Sequence, residues 1–313
     1  MKSYVLNRVF SGLVVMAVVA TIVFIIIRVI PGDPASIMLG PDATLTDVNE
    51  LKVKMGLDKP IFVQYYSFIA NLATGDLGRS IFLDKSVLSA LADRAEPTIF
   101  LSLMSVAIAV LIGIPAGVIS AVHRNTLLDK CVMAFAMLAS SLPSFWLGLM
   151  FMQIFAVDLQ IFPISGYGSA SDPLVTRLSY LMLPSVVLGL TSSALITRFT
   201  RGNMLDILGE DYIRTARAKG VPNLIVIMKH AFRNAFIPIL TVIGMCMALL
   251  LGGAVVTETV FNLPGVGNLI VSAVMRRDYP VIQGALIVVA GVYVVINLLI
   301  DLLYVVVDPR VKY

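Results

Sequence analysis

Long apolar runs alternate with short polar stretches along nearly the whole chain. An α-helix rises 1.5 Å per residue, so about 20 residues cross a hydrocarbon core of about 30 Å. Six runs lack Asp, Glu, Lys and Arg and have about that length or more: 9–27, 97–122, 131–157, 178–197, 234–257 and 279–300. In lipid every backbone polar group needs a partner within the protein, which a helix provides. The pattern therefore predicts an all-α polytopic membrane protein with six transmembrane helices.

The composition supports this prediction and argues against one class of partner. Of the 313 residues, 58% are hydrophobic and only 13% are charged, whereas about 25% are charged in soluble domains. The net charge of +4 does not indicate nucleic acid, because the bases concentrate in loops at one end of the predicted spans. Only Arg177, Arg276 and Arg277 lie in short loops at the other end. Basic loops remain in the cytoplasm, so both chain termini are predicted to be cytoplasmic.

The segment between the first two spans is the one long polar region of the sequence. Residues 31–34, Pro-Gly-Asp-Pro, are predicted to end the first helix, and Thr46 is predicted to cap a short helix that follows. Residues 61–72 have an amphipathic pattern with two tyrosines suited to a membrane interface. Two interpretations stay open: a solvated loop with two small helices, or a platform that receives a substrate-binding protein. Pro97 is predicted to open the second span, because proline favours the first helical turn.

The longest polar passage in the second half, residues 210–220, carries the signals of a short helix. It reads Glu-Asp-Tyr-Ile-Arg-Thr-Ala-Arg-Ala-Lys-Gly, with acids first and bases later, which matches the helix macrodipole. Gly220 stands where a left-handed cap is expected, and Pro222 prevents continuation. Ala216 and Ala218 are small and favour helix, so another surface can approach closely. The passage predicts a docking helix between membrane spans; an ordinary loop made basic by topology is the alternative.

Polar side chains in the third predicted span indicate a second kind of site. Three serines flank a proline, and a glutamine follows them: Ser140, Ser141, Ser144 and Gln153. Proline frees a backbone carbonyl, so this cluster is a candidate for lining a polar path through the membrane. Hydrogen bonds to neighbouring helices, worth about 0.6–2 kcal/mol each, are the alternative.

No motif for catalysis or for metal binding stands out in the sequence. A Walker A loop ends in Gly-Lys-Ser/Thr, and this tripeptide is absent, so the chain is not expected to hydrolyse ATP. His123 and His230 have no partners at metal-binding spacing. Cys131 and Cys246 lie within predicted spans, where packing is their expected role. No catalytic residue, metal site or bound cofactor is therefore predicted for this chain.

Residues 210–220, followed by Lys-His-Ala-Phe-Arg-Asn-Ala-Phe-Ile-Pro at 229–238, resemble the signature of permease subunits of peptide-type ABC importers. These importers carry dipeptides, oligopeptides, glutathione or nickel. The Pro-Gly-Asp-Pro break also resembles these permeases, and the resemblance covers nearly the whole chain. It implies the type I ABC importer permease fold, with a periplasmic insertion after the first helix. Four parts are then expected: a cytoplasmic start with the first helix (1–30), a periplasmic region (31–93), a five-helix permease core (94–307) and a cytoplasmic tail (308–313).

In the resembling family a coupling helix rests in a groove of a separate ATPase, and the resemblance places this helix at about 208–222. The residues expected to take part in coupling are Asp211, Tyr212, Arg214, Thr215, Ala216, Arg217, Ala218, Lys219 and Gly220. The broad ABC-importer pattern is Glu-Ala-Ala, three residues, then Gly. Ala216 and Gly220 match it, whereas Arg214 and Thr215 replace the first two residues. A glutamate contact to the ATPase is therefore not carried over.

The resemblance implies the pore-forming subunit of an ATP-driven importer in the bacterial inner membrane. It would move small peptides from a periplasmic binding protein to the cytoplasm by alternating access. Its expected partners are a second homologous permease, two ATP-binding subunits that hold ATP and Mg, the binding protein and membrane lipid. Nickel is an alternative cargo. An ion-coupled secondary transporter would need central ionisable groups, which predicted spans two to five lack; an intramembrane enzyme and a scaffold without a pore are further alternatives.

Overall fold

Helices make up most of the described structure. The computed structural model describes residues 2–29, 34–40, 43–54, 56–80, 82–169 and 171–307. Within these ranges the helices are α1 (Lys2–Val29), α2 (Pro34–Leu39), α3 (Leu45–Lys54), α4 (Ile61–Ala73), α5 (Val87–Val122), α6 (Leu127–Ser141), α7 (Ser144–Phe151), α8 (Leu174–Leu208), α9 (Asp211–Ala218), α10 (Asn223–Ile225), α11 (Arg233–Val260), α12 (Val266–Arg276) and α13 (Tyr279–Val307). Two π-helical turns, Met152–Asp158 and Val226–Phe232, follow α7 and α10. The predicted all-α fold is confirmed.

Five helices are long and apolar enough to cross a membrane. They contain the candidate spans Leu6–Ile26, Val87–Val122, Leu174–Leu208, Asn223–Leu250 and Tyr279–Leu303. A sixth candidate is a bent pair, in which α6 meets α7 and the π-helical turn after it at an angle of 99°. The polytopic architecture is confirmed, but the third predicted span is not one straight helix.

The bend between α6 and α7 follows from the chemistry of proline. Leu142 adopts an extended conformation, with φ −85° and ψ 132°, because a residue before proline avoids the helical region. Pro143 has no N–H to continue the hydrogen-bond ladder, and α7 begins directly after it at Ser144. The proline is visible in the sequence, but the uncharged run continues through it and gives no sign of two separate helices.

Two prolines lie inside α5, although the sequence predicts Pro97 at a helix start. The helix begins at Val87 and continues through Pro97 and Pro115 to Val122. The prediction that Pro97 opens the second span is therefore wrong. Each proline removes one backbone hydrogen bond, a loss that membrane helices tolerate when neighbouring groups satisfy the freed carbonyl.

The chain forms two compact units, and the first contains the described residues of 1–96 and 265–295. In this unit the start of α5 packs against α12 and α13 through small and branched side chains. The buried residues of this cluster are Val87, Ala90, Leu91, Leu269, Ala273, Val281 and Ala285. A Cβ on Gly284 would lie only 2.5 Å from Cγ1 of Val87. The glycine therefore lets α13 approach α5 closely.

The amphipathic helix α4 packs against α1 in the same unit. The Tyr65 hydroxyl lies 2.8 Å from Thr21 Oγ1, and its ring meets Phe24 edge-on with 5.1 Å between ring centroids. Near the end of α1, Arg28 donates from Nε and Nη2 to Oε1 of Gln64 at 3.1 and 2.9 Å. Burial lowers the pKa of Arg28 to about 10, so its guanidinium stays charged near neutral pH.

Thr44, rather than the predicted Thr46, caps α3. Oγ1 of Thr44 accepts the Asp47 N–H at 3.2 Å, while the Thr44 hydroxyl and N–H donate to Oδ2 of Asp47 at 2.6 and 3.1 Å. This reciprocal arrangement is a capping box with aspartate at its third helical position. The bonds from the Thr44 hydroxyl and N–H hold the pKa of Asp47 below its ordinary value. The prediction of a cap at Thr46 is wrong because Thr46 already lies in the first turn.

The second unit contains residues 97–264 and, in the described range, 296–307. Its largest apolar cluster contains residues of α5, α8 and α11, and its buried members include Leu101, Leu181, Leu183, Val187, Leu188, Leu250, Ala254, Phe261 and Leu263.

Helices α5 and α8 of this unit come close together at glycine residues. A Cβ on Gly117 would lie 2.6 Å from Cβ of Thr200 and 2.7 Å from the carbonyl oxygen of Thr197. Small residues of this kind let membrane helices approach closely.

Two predictions fall on parts of the chain that the structure does not describe. Residues 31–33 of the predicted break after the first helix lie outside the described ranges, and α2 begins at Pro34. The predicted tail at 308–313 also lies outside them.

Candidate functional site

The short helix predicted at residues 210–220 is present as α9, which runs from Asp211 to Ala218; its docking role stays a prediction. Glu210 precedes it in an extended conformation, with φ −69° and ψ 147°. Its carbonyl oxygen accepts the N–H groups of Ile213 and Arg214 at 3.1 and 3.3 Å. The carboxylate of Asp211 stands in the first turn, where it complements the positive end of the helix dipole.

Gly220 ends α9 in the predicted left-handed conformation, with φ +76°. The Gly220 N–H donates to the Arg217 carbonyl at 3.0 Å, and the Val221 N–H donates to the Ala216 carbonyl at 3.2 Å. This pair of bonds is the Schellman motif, which satisfies the last carbonyls of a helix. Val221 and Ala216 also both pack against the apolar cluster that contains Ile213. The cap therefore fixes both the end of α9 and the direction of the chain beyond it.

One side of α9 is anchored in the protein, and the other is open. Ile213 is completely buried in a cluster that includes Met204, Val226 and Ala231. Tyr212 remains 43% exposed, yet its hydroxyl accepts a hydrogen bond from the Asn234 amide at 2.9 Å. Ala216 is half-buried, and the remaining predicted coupling residues are exposed: Asp211, Arg214, Thr215, Arg217, Ala218, Lys219 and Gly220.

The exposed part of α9 and the residue that follows it carry three bases. Arg214, Arg217 and Lys219 are exposed there. The ion pair between Arg214 and Asp211 spans 3.4 Å, and both side chains are more than three-quarters exposed. Such exposed pairs contribute only about 0–1 kcal/mol. The side chains are therefore available to a partner with an acidic or polar surface, and the coupling role of these residues stays a prediction.

The predicted pathway serines lie around the bend between α6 and α7. Ser140 and Ser141 donate to the Met137 carbonyl of their own helix at 3.0 and 2.8 Å, rather than to a neighbouring helix. Ser144 begins α7. Gln153 lies in the π-helical turn and donates to Oδ1 of Asp158 at 2.9 Å. A pathway-lining role for these four residues stays a prediction.

A buried polar cluster that is not predicted from the sequence joins α5, α6 and α8. Its centre is Asp129, which accepts Nε and Nη2 of Arg201 at 2.7 and 2.8 Å. The same carboxylate accepts the Ser120 hydroxyl at 2.5 Å and the Asn125 N–H at 2.9 Å. Thr126, the N-cap residue of α6, offers the local signal, because its hydroxyl accepts the Asp129 N–H at 3.4 Å. A Thr-x-x-Asp pattern indicates a helix start, but it does not reveal the distant arginine.

Glu258 in α11 is also more enclosed than its position near the end of a predicted span indicates. Its side chain is completely buried. Its Oε1 accepts the Thr98 hydroxyl at 2.5 Å, and its carbonyl accepts the Leu263 N–H at 2.8 Å. A buried carboxylate needs hydrogen-bond partners, so Glu258 joins the beginning of the second unit to the end of α11.

Comparison with known proteins identifies the family. Residues 113–313 match the family model for binding-protein-dependent transport system inner membrane components, and residues 1–102 match the model for the N-terminal part of such membrane components. The chain belongs to this family of inner-membrane transport components. It is therefore a multi-pass protein of the inner membrane and a permease subunit, not an enzyme. The family also implies partners, namely an ATPase and a binding protein.

Curated relatives match the entire chain. One is a "probable peptide ABC transporter permease protein" of Sinorhizobium fredii, which is 41% identical over 313 residues and covers 100% of both chains. Another is a glutathione transport system permease protein of Escherichia coli K12, which is 39% identical over 313 residues, again 100% of both chains. Such identity over the full length supports the same architecture from end to end.

Solved structures agree with this fold. The permease chain of the MetNI methionine ABC transporter, in an inward-facing conformation, has a TM-score of 0.60 and 18% sequence identity. The match covers 70% of this chain and 96% of that chain. The expected ABC importer permease fold is thereby confirmed.

Proposed function

We propose that this chain is one pore-forming subunit of an ATP-driven importer that carries small peptides. In this proposal a second homologous permease completes the pore, two ATP-binding subunits dock at α9, and a binding protein delivers cargo from the periplasm. Both termini and α9 face the cytoplasm. ATP and Mg belong to the ATP-binding subunits, and this chain holds no cofactor. Membrane lipid surrounds the spans, and nucleic acid is not a partner.

The observation that carries this proposal is the two-sided character of α9. The helix is held by the buried Ile213, while Arg214, Arg217 and the following Lys219 remain exposed. A helix held in this way moves with the membrane helices instead of sliding over them. When the ATP-binding subunits close, a groove around α9 would shift it, and the attached spans would rotate as rigid bodies between two arrangements.

The cargo assignment is supported by the relatives. The names of full-length relatives at 39–42% identity include peptide and glutathione transport, and glutathione is itself a tripeptide. Nickel would be expected to use His, Cys or carboxylate ligands. Among the described residues no group of three or more His, Cys, Asp or Glu side chains is placed to hold a metal ion. Peptides are therefore the proposed cargo.

The test is purification of the chain from its native membrane in mild detergent, followed by identification of co-purifying proteins and reconstitution into vesicles. A sister permease and ATP-binding subunits should be recovered together. The reconstituted complex, supplied with its binding protein on one side of the vesicle membrane, should take up trialanine or glutathione only with ATP on the other side, where α9 lies. Uptake by this chain alone, driven by an ion gradient, would instead establish an ion-coupled carrier and overturn the proposal.

A further inference from the structure

The hydroxyl of Tyr212 belongs to a closed set of hydrogen bonds between α9 and α11. The Asn234 amide donates to Oη of Tyr212 at 2.9 Å and to the carbonyl oxygen of His230 at 2.8 Å. The Tyr212 hydroxyl in turn points its donor at the same His230 carbonyl, 3.4 Å away. Both hydrogens of the Asn234 amide are therefore used, one on each helix segment. We call Tyr212, Asn234 and the His230 carbonyl the latch.

The latch forms where the regular helix is interrupted. His230 lies in the π-helical turn Val226–Phe232, and Asn234 lies in the first turn of α11, directly after it. A π-helical turn breaks the regular i→i−4 ladder, and such turns occur often at functional sites. At this place side-chain donors can reach a backbone carbonyl. The latch thus joins α9 to the junction from which α11 starts.

A second attachment lies one residue away. Ile213 is completely buried beside Val226 and Ala231 of the same π-helical turn. The first half of α9 is therefore held by an apolar contact and by a polar one. The apolar contact resists removal of α9 from this site but favours no single orientation, because the hydrophobic effect is not directional. Hydrogen bonds are directional, so the latch adds a preferred orientation of α9 against the start of α11.

We propose that Tyr212 and Asn234 are positioning residues that pass movement of α9 directly to α11. This inference rests on the proposed function, in which an ATP-binding subunit moves α9. Tyr212 then connects α9 to α11 within this chain, while the exposed bases of α9 contact the ATP-binding subunit. Without the latch the ATP-binding subunit still binds and hydrolyses ATP, but α9 rotates on its apolar contact and less of its movement reaches the spans.

The experiment uses the complete importer in vesicles, with uptake of trialanine and of glutathione measured beside ATP hydrolysis. Tyr212→Phe removes one oxygen atom and keeps the ring. Both Tyr212→Phe and Asn234→Ala should retain the ATP-binding subunits, while the cargo taken up per ATP falls roughly threefold to tenfold, the range expected for one net hydrogen bond. The double variant should lose less than the product of the two single losses, because both changes break the bond between Asn234 and Tyr212.

Asn203 supplies the matched control. Its amide donates to the Phe199 carbonyl four residues earlier at 2.8 Å, as Asn234 does to His230, but it has no bond to α9. Asn203→Ala should leave the uptake per ATP unchanged. If Asn234→Ala does not accumulate in the membrane, Tyr212→Phe alone decides the question, because uptake is normalised to hydrolysis by assembled complexes.

The outcomes separate this inference from the proposed function. Unchanged uptake per ATP in Tyr212→Phe would overturn the latch, and so would a loss of the ATP-binding subunits in that variant, since the hydroxyl would then be a partner contact. A wild-type complex without ATP-binding subunits, or with uptake that does not need ATP, would instead overturn the proposed function itself.

Discussion

Arg201 and Asp129 form a bidentate ion pair that joins α8 to α6, with Nε–Oδ1 and Nη2–Oδ2 distances of 2.7 and 2.8 Å. The Asp129 side chain is only 4% exposed. Two parallel charge-assisted hydrogen bonds fix orientation as well as distance. Arg201 lies near the end of α8, the helix that leads into α9. The pair therefore holds the helix that α9 follows in the chain.

We expect Asp129→Asn to lower the free energy of unfolding by about 2–3 kcal/mol, the scale of charge-assisted hydrogen bonds. The variant keeps the size of the side chain but leaves the Arg201 guanidinium without its counter-charge. Thermal unfolding of the purified protein in detergent measures the loss.

Asp84→Asn is the control for this prediction, because Asp84 pairs with Arg79 at 2.7 Å on an exposed surface. Asp84 has a positive φ of 50°, which asparagine also tolerates. The control should change stability by less than about 1 kcal/mol. Equal losses in the two variants would show that burial does not strengthen the Asp129 pair.

The all-helical polytopic architecture, the cap at Gly220 and the family were accessible from the sequence, because each depends on local pattern. Charge-free runs of the right length require helices in a membrane, and a glycine after a basic helical turn indicates a left-handed cap. Local pattern gave a wrong prediction where two local rules compete. Pro97 favours a helix start, yet the helix begins at Val87 because this first turn is buried against α12 and α13.

The polar contacts of the site were not predictable in the same way. Asp129 and Arg201 are far apart in the chain, and nothing in the spacing of their neighbours joins them. Tyr212 and Asn234 meet only because the chain turns at Gly220 and then enters a π-helical turn. Sequence patterns report the period of an element, whereas these pairs depend on the angle between elements.

The glycines at the crossing of α5 and α8 give a prediction about packing. A Cβ on Gly117 would lie 2.6 Å from Cβ of Thr200 and 2.7 Å from the Thr197 carbonyl oxygen. Both are rigid neighbours, so Gly117→Ala should push the helices apart and cost about 1–3 kcal/mol, as overpacking generally does. Thermal unfolding in detergent measures this cost.

Gly202→Ala is the matched substitution, because Gly202 lies in α8 and a Cβ there meets no atom within 4 Å. Alanine favours helix over glycine by up to about 1 kcal/mol, so this variant should be as stable as the wild type or more so. A loss of stability at Gly202 equal to that at Gly117 would contradict the close crossing.

The capping box makes the stability of helix α3 depend on pH. The bonds from Thr44 lower the pKa of Asp47 from its ordinary value of 3.8. A carboxyl group whose pKa is lower in the folded state stabilises the fold when the pH is above its pKa in the unfolded state. This stability is lost as the pH falls through the pKa of the folded state. Asp47→Asn should therefore speed amide exchange in Leu45–Lys54 at neutral pH, where the wild-type carboxylate is ionised.

The difference between wild type and Asp47→Asn should stay constant from about pH 7 to about pH 5 and shrink only below 3.8, as the wild-type carboxyl takes up its proton. Amide exchange in α4 serves as the internal control, because that helix has no part in the box. A difference that vanishes already near pH 6 would mean that another group supplies the protection.

Gly220 links backbone conformation to the proposed coupling role. Its φ of +76° is a left-handed value, and a Cβ at this position would meet nothing within 4 Å. Strain, not crowding inside this chain, is therefore what a substitution adds. Valine in this conformation costs about 1–2 kcal/mol, so the cap should open and release the Val221 N–H from the Ala216 carbonyl. Gly220→Val should keep normal membrane insertion but lower cargo uptake per ATP by roughly tenfold.

Gly220→Asn distinguishes the two reasons why a glycine stands at this cap. Asparagine tolerates the left-handed conformation, so this variant should transport almost as the wild type does if the cap geometry is what matters. If asparagine is as harmful as valine, the requirement is for a bare backbone against the ATP-binding subunit, because both side chains then obstruct the same contact. Undiminished uptake in Gly220→Val would remove the coupling role from α9 altogether, since a helix with an opened cap could not transmit a defined movement.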